Sequence, residues 1–365
     1  MDKKKRLIAI HLPQFHPFKE NDEWWGKGFT EWTNVAKARP RFRGHYQPHI
    51  PADLGFYDLR LPEVREEQAK LAKEYGIYGF CYYHYWFDGK VLMEKPLKEI
   101  LERKHPNFPF MICWANENWT RAWDGSEKEI LISQNYSDDD ARNHIKYLIP
   151  YLKDSRYIKV YGKPIICIYR TSIIPNIESM LSIWRDEAIK EGIELYIVRF
   201  ESCNDFGESF LIDNLDAAVE FQPHNTKDFL KQNNNFRRVI NAITRRCFKC
   251  NLFPNVIDYH KYVEYQKELP TPTYKIYPSV TPRWDNSPRR KNNYFAFVNS
   301  KPEYYGKWLR NVLSKFVPYS DEENFVFINA WNEWAEGNHL EPDLKYGKQY
   351  LQETKYAIEH YVNEK

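Results

Sequence analysis

No run of about 18 apolar residues occurs in the chain, which excludes a conventional membrane-spanning helix. A Gly-rich phosphate loop and a Rossmann fingerprint are both missing, so nucleotide binding through either device is excluded. An excess of one charge is lacking too. The 53 Lys and Arg meet 50 Asp and Glu, and a net charge of +3 is no electrostatic footprint for nucleic acid. Cysteine is scarce, with six in 365 residues. Cys81, Cys113 and Cys167 lie inside strand-like apolar runs, the placement of buried reduced thiols rather than of a disulfide framework. Cys247-Phe248-Lys249-Cys250 is one CxxC without a second pair, and HxH and HExxH spacings are absent, so neither a metal nor a cofactor is expected. A signal-peptide core is absent as well: after the basic start Met1-Asp2-Lys3-Lys4-Lys5-Arg6, the run Leu7-Ile8-Ala9-Ile10 is cut short by His11 and Pro13 and reads as a first strand. With the reduced thiols, this sets the expected location as cytoplasmic.

What the chain does have is aromatic side chains, 17% of residues with 12 Trp and 27 Tyr. Tyr and Trp carry a polar end and suit wet, ring-lined clefts, although a bulky core accounts for about half of such residues. Apolar, β-branched or aromatic runs occur at Leu7–Leu12, Gly76–Tyr85, Phe110–Trp114, Pro164–Tyr169, Leu195–Phe200, Ala217–Phe221, Ile276–Val280 and Phe325–Ala330. Helical spacing falls between several of them, at Leu61–Tyr75, Ala141–Leu152, Ile177–Glu191 and Glu303–Phe316. This alternation predicts an α/β fold, a single (β/α)8 TIM barrel over residues 1–365, with long loops after strand 1 and between strands 6 and 7.

Nearly every predicted strand ends in polar or aromatic side chains, where barrel enzymes place their chemistry. Candidates for substrate binding at these ends are His11, Gln14, His84, Tyr85, Trp86, Trp114, Asn116, Glu117 and Asn118. Capping a helix or closing the barrel mouth is the alternative role for any one of them. Histidines 11, 16, 45 and 84 are expected to hydrogen-bond substrate hydroxyls rather than to ligate metal. Asp138-Asp139-Asp140 leads into a helix and reads as its acidic N-terminus. The first long loop, Phe15–Asp58, is expected to form an ordered substrate wall and adds Trp25, Glu31, Trp32 and Tyr46 as candidates. The second, at about 223–275, contains the basic stretch Phe229–Phe253 with Lys231, Arg237, Arg238, Arg245, Arg246 and Lys249. Phe236, Val239, Ile240, Ile243 and Cys247 recur there at helical spacing, which suits an inserted helix packed on the barrel with a solvated basic face or, as the alternative, an anionic membrane surface.

The most informative stretch is Trp331-Asn332-Glu333-Trp334-Ala335-Glu336-Gly337, directly after a buried-strand pattern. Two carboxylates three residues apart sit between tryptophans, with Gly337 available for an unusual backbone angle. Carboxylates move protons at glycosidic bonds and indole faces stack on pyranoses. The usual retaining and inverting mechanisms set two acids on opposite sides of the scissile bond, which neighbours on one turn do not reach. Glu333 and Glu336 suit another division, in which one takes a proton from a sugar hydroxyl and the other protonates the departing oxygen. Proximity and burial are expected to raise one pKa so that it holds its proton near neutrality. Trp331, Asn332 and Trp334 join the candidates for binding.

This turn, with His11-Leu12-Pro13-Gln14-Phe15-His16, Gly28-Phe29-Thr30-Glu31-Trp32, His45-Tyr46-Gln47-Pro48, Tyr82-Tyr83-His84-Tyr85-Trp86-Phe87 and Trp114-Ala115-Asn116-Glu117-Asn118-Trp119-Thr120, resembles the WbsX-type glycosyltransferases, also called glycoside hydrolase family 99-like proteins. The resemblance spans nearly the whole chain. It implies a (β/α)8 barrel acting on glycans in O-antigen, lipopolysaccharide or capsule biosynthesis. Family 99 endo-mannosidases proceed through a 1,2-anhydro sugar, so the resemblance implies that Glu333 is the base and Glu336 the acid. The expected partners are a glycosyl donor and an oligosaccharide or lipid-linked glycan acceptor, with no nucleic acid, and peripheral membrane contact through 229–253. Two rival readings are an endo-glycosidase that uses water as acceptor and a catalytically silent glycan-binding barrel.

Overall fold

The computed structural model describes residues 5–121, 126–202, 205–224, 226–233, 235–248, 253–290 and 294–362, with backbone alone at 121, 126–128, 227, 231–233, 235–238, 245 and 248. Eight parallel strands form its centre: β1 Arg6–His11, β2 Ile77–Phe87, β3 Phe110–Trp114, β4 Lys163–Ile168, β5 Tyr196–Glu201, β6 Ala217–Glu220, β7 in two halves at Ile276–Tyr277 and Ser279–Val280, and β8 Phe325–Ile328. All eight predicted strands are present. Their near-continuous apolar runs reflect burial on both faces, as expected of parallel strands wrapped by helices.

Closure depends on β7. Its first half pairs with β6, Ala218 against Ile276 and Val219 against Tyr277. Its second half pairs with β8, Ser279 against Phe327 and Val280 against Ile328. Pro278, at the break, has no N–H to give, and its carbonyl accepts from the Phe327 amide at 2.8 Å. The ring β7-β6-β5-β4-β3-β2-β1-β8-β7 is therefore complete, as a (β/α)8 barrel requires.

Helices α1 (Lys19–Trp25) and α2 (Glu31–Lys37) lie in the first long loop. The crossovers are α3 Pro62–Glu74, α4 Lys95–Arg103, α5 Asp138–Leu152 and α6 Ile177–Lys190. Asp138, Asp139 and Asp140 occupy the first turn of α5, where Ser137 caps by accepting from the Asp140 amide at 3.1 Å. Between β5 and β6 the alternation lapses to one turn of 3-10 helix, Glu208–Phe210. After β6 come α7 Thr226–Asn233, α8 Asn235–Phe248 and α9 Tyr259–Glu268, followed by α10 Pro302–Lys315 after β7 and α11 Gln349–His360 after β8. Tyr262 of α9 is fully buried against Phe297 and Trp308, which seats that helix on the barrel. On α8, Val239 and Ile243 are each 56% exposed and Arg246 and Cys247 are exposed. Lys249 and the side chains of Lys231, Phe236, Arg237, Arg238 and Arg245 lie outside the described residues, as does Cys250. Among the described residues Cys81, Cys113 and Cys167 are buried free thiols, and no described helix is long and apolar enough to cross a membrane.

Candidate active site

β8 leaves the barrel after Ile328, and the Trp331 amide returns to β1 by donating to the Ile10 carbonyl at 2.7 Å. Asn332–Glu333 then pairs antiparallel with Asn338–His339, closing a small hairpin around the 3-10 turn Trp334–Glu336. Gly337 ends that turn at φ +57°, a backbone state glycine adopts without penalty, and a Cβ there would lie 3.0 Å from the Asp285 Cβ. The turn is held from behind. Asn332 accepts from the Leu12 amide at 2.7 Å and donates to its carbonyl at 3.0 Å. The Trp334 indole N–H donates to Glu341 at 2.6 Å while its ring stacks on His339 at 3.5 Å. Tyr57 and Gln68 also donate to Glu341, at 2.8 and 2.7 Å.

With those neighbours turned into the protein, Glu333 and Glu336 face a cavity of about 560 Å³ at the C-terminal ends of the strands. Tyr83 and Tyr85 of β2, Glu117, Asn118 and Trp119 after β3, Tyr169, Phe221, Trp284 and Asn329 complete much of its wall, with Gln14 from the end of β1. Arg289 sits among the acids. One of its terminal nitrogens lies 2.7 Å from both Glu31 and Glu333, and the other lies 2.9 Å from Glu336. Glu31 also accepts from the Ala335 amide at 2.9 Å, tying α2 to the turn. Three carboxylates crowd the Arg289 guanidinium, and Arg290 adds a second positive charge near Glu336. Burial, the largest influence, raises the pKa of both Glu333 and Glu336, and the surrounding carboxylates add to it against the pull of Arg289. The pair is thus built to hold a proton where isolated carboxylates have lost it.

The predicted residues divide by the side of the strand on which they fall. Gln14, Tyr85, Glu117, Asn118, Glu333 and Glu336 line the cavity. His84 and Trp86 flank Tyr85 but point outward, because alternate residues of a strand face opposite sides. His84 meets His144 of α5 at 3.1 Å, and the Trp86 indole donates to Asp140 at 2.7 Å. Trp114 likewise packs outward on His144 and Trp184. His11 is buried against Phe80, Tyr82 and Gln68. Asn116 braces Arg170, donating to its carbonyl at 2.7 Å and accepting from its amide at 2.8 Å. Trp331 packs on Phe80, Trp32 on Phe15, Tyr57 and Trp334, and Trp25 on Phe29. The loop Phe15–Asp58 does not wall this cavity; it buttresses the turn through Glu31 and Tyr57, and its Tyr46 lines a second cavity. Arg289, the central cation, escapes the sequence reading, since Pro288-Arg289-Arg290-Lys291 has the look of a basic surface loop.

His49, His339 and Asp343 bring metal-type ligand atoms within 4.8 Å of one another. A cation already serves them: Arg283 donates to Asp343 at 2.6 Å and lies 3.1 Å from the His339 Nδ1. Burial, aided by Arg283, holds the His49 imidazole down at about 3 and lowers His339 as well, so both rings are neutral.

Comparison with known proteins agrees with this architecture. Solved structures with similar folds include the GH99 endo-alpha-mannosidase of Bacteroides thetaiotaomicron in complex with bis-tris-propane, with a TM-score of 0.56 and 13% identity over 99% of this chain and 98% of that one. A protein described as glycoside hydrolase-like matches with the same score and identity, over 98% of this chain and 94% of its own. The uncharacterized protein WxcX of Xanthomonas campestris pv. campestris is 40% identical over 358 residues, 96% of this chain and 49% of WxcX, so the chain spans about half the length of the curated relatives it matches. The family model described as Glycosyltransferase WbsX matches residues 7–354, and the chain belongs to that family of glycosyl-handling enzymes.

Proposed function

We propose that this chain transfers a glycosyl residue during assembly of a bacterial surface polysaccharide such as O-antigen or capsule, with Glu333 and Glu336 as the proton-handling pair. The observation that carries the reading is the arrangement of two carboxylates three residues apart, Glu333 buried and Glu336 partly exposed, on the two terminal nitrogens of one guanidinium in the mouth of a barrel. Both acids lie on one side of the substrate space. A proton relay therefore fits better than attack and protonation from opposite faces. Glu336, with 21% of its side chain exposed against 8% for Glu333, is the better placed to meet a departing oxygen at the open side. Glu333, deeper in the cavity, takes the proton of a sugar hydroxyl. For the exchange to work the pair enters with one proton between them, which the raised pKa values supply.

Around this pair, Tyr85, Trp119 and Trp284 offer ring faces and Gln14 a buried amide N–H with no hydrogen-bond partner among the described residues, a donor suited to a sugar hydroxyl. The family description favours an acceptor other than water. The acceptor in this reading is lipid-linked and approached from the cytoplasmic face of the membrane, with exposed Val239 and Ile243 of α8 resting on that surface. Val239→Glu with Ile243→Glu is then expected to reduce co-sedimentation with anionic vesicles, and unchanged co-sedimentation removes α8 from the account. Glu336→Gln is expected to lose about 10²-fold or more in turnover while keeping the circular dichroism of the native chain. Turnover equal to the native chain contradicts the acid role. Hydrolysis of an oligosaccharide with no acceptor added moves the reaction to an endo-glycosidase using the same pair.

A further inference from the structure

A second cavity, of about 530 Å³, shares Trp284 with the one that holds the carboxylates. It is built where the loops after β7 and β8 meet residues 42–49 of the first long loop. Barrels of this class frequently hold phosphate between the loops after their seventh and eighth strands, beside a helix N-terminus. Here α10 begins directly after Ser300 and Lys301 of the wall.

The charges of the wall are lopsided. Arg43, Arg283, Lys301 and Lys345 face one carboxylate, Asp285. Asp285 is already engaged by His45 at 2.6 Å, Gln47 at 2.5 Å and the Ser287 amide at 3.0 Å, while Arg283 is committed to the buried Asp343. Three cations are left. Neither Arg43 nor Lys345 forms a salt bridge among the described residues, and Lys301 meets Glu303 only at 3.6 Å on the surface. The Lys345 side chain is exposed, and its ammonium is held at the cavity rim 4.3 Å from the centre of the Tyr46 ring and 4.8 Å from that of Tyr346. The Ser300 hydroxyl oxygen is buried without a hydrogen-bond partner among the described residues. Cations and a free hydroxyl around a concave site recognise an oxyanion of high charge, because charge-assisted hydrogen bonds to phosphate are about twice as strong as neutral ones.

We propose that this second cavity is an anion subsite that takes the phosphate or diphosphate of an activated glycosyl ligand, held by Arg43, Lys301, Lys345 and Ser300. The proposal rests on the transfer reading above and gives it a donor class: a sugar linked through phosphate rather than a plain oligosaccharide. Trp284 lines both cavities, and in this proposal a diphosphate in one directs its attached sugar past Trp284 toward the pair in the other.

The test is calorimetric titration of the full chain with inorganic pyrophosphate at about 150 mM salt, where long-range attraction is screened. The native chain is expected to bind, and Arg43→Ala with Lys345→Ala, both exposed positions whose loss leaves the core intact, to bind about tenfold more weakly or worse. No binding by the native chain, or equal binding by the variant, overturns the subsite. Displacement of pyrophosphate by sulfate at matched ionic strength overturns it as well, since that marks unspecific attraction. Tighter binding of uridine diphosphate than of pyrophosphate assigns the phosphate to a nucleotide-activated sugar, and tighter binding of farnesyl diphosphate assigns it to a lipid carrier; either sustains the subsite. The titration involves no turnover. Pyrophosphate binding in a chain that transfers no sugar therefore upholds the subsite and sinks the transfer reading alone.

Discussion

Residue by residue, the cluster of Glu31, Glu333, Glu336 and Arg289 carries a cost in stability along with the proposed chemistry. Burial drives the Glu333 carboxyl from its ordinary value of 4.5 up to about 8. A carboxyl whose pKa is raised on folding binds its proton more tightly in the native state, so its contribution to stability is fully present below about 4.5 and is lost as pH climbs through about 8. Native protein is accordingly expected to lose melting temperature across that window more steeply than Glu333→Gln, in which the amide cannot ionise. Parallel melting curves against pH for the two proteins contradict the buried, proton-holding pair. Glu220 and Glu341, each raised to about 7 by burial, add the same trend to both proteins, so the difference between the two proteins reports on the Glu333 and Glu336 pair. The two acids were legible in the sequence because they stand in a Trp-rich turn after a strand. Their partner Arg289 was not, because a lone arginine in a polar loop has no pattern until the fold brings it 44 residues back along the chain from Glu333. Parity was equally hidden: of His84, Tyr85 and Trp86, one faces the cavity, and which one depends on where the strand enters the barrel.

Among the elements, the turn Trp334–Glu336 depends most on a single residue. Gly337 at φ +57° lies against Asp285, its missing Cβ 3.0 Å from the Asp285 Cβ and 3.2 Å from the Asp285 amide nitrogen. Gly337→Ala therefore carries the left-handed penalty of about 1–2 kcal/mol and forces the Asp285 segment away. A melting temperature lowered by several degrees, together with a turnover loss larger than the change in KM, is the expected result, because Glu336 moves with the turn. A variant as stable and active as the native chain contradicts this coupling. The strands were readable from their apolar runs, and so were helices α3, α5, α6 and α10 from their periodicity. The single 3-10 turn that stands for a crossover helix among the described residues between β5 and β6, and the break of β7 at Pro278, were not, since both follow from how the ring closes rather than from local preference. The long first loop was recognised as ordered, yet it buttresses the carboxylate turn through Glu31 and Tyr57 and lines the second cavity with residues 42–49.

On the scale of the whole molecule, the barrel places one acidic and one basic cavity side by side at the same end, and both are assembled from segments far apart in sequence. Glu31 reaches Arg289 across 258 residues and His45 reaches Asp285 across 240, which joins the first loop to the loop after β7. Spatial pairing of this kind leaves no trace in spacing along the chain. The family membership and the barrel were available from motifs and runs, but the division of the mouth into two cavities came only with the fold. The most direct test of the central claim is a mass-spectrometric comparison of lipid-linked and soluble glycans from cells carrying the native protein or Glu333→Gln/Glu336→Gln. Loss of a longer glycan with accumulation of its shorter lipid-linked precursor in the variant is the predicted result. Identical glycans in both, or longer chains that only the native protein shortens, would contradict glycosyl transfer by this carboxylate pair.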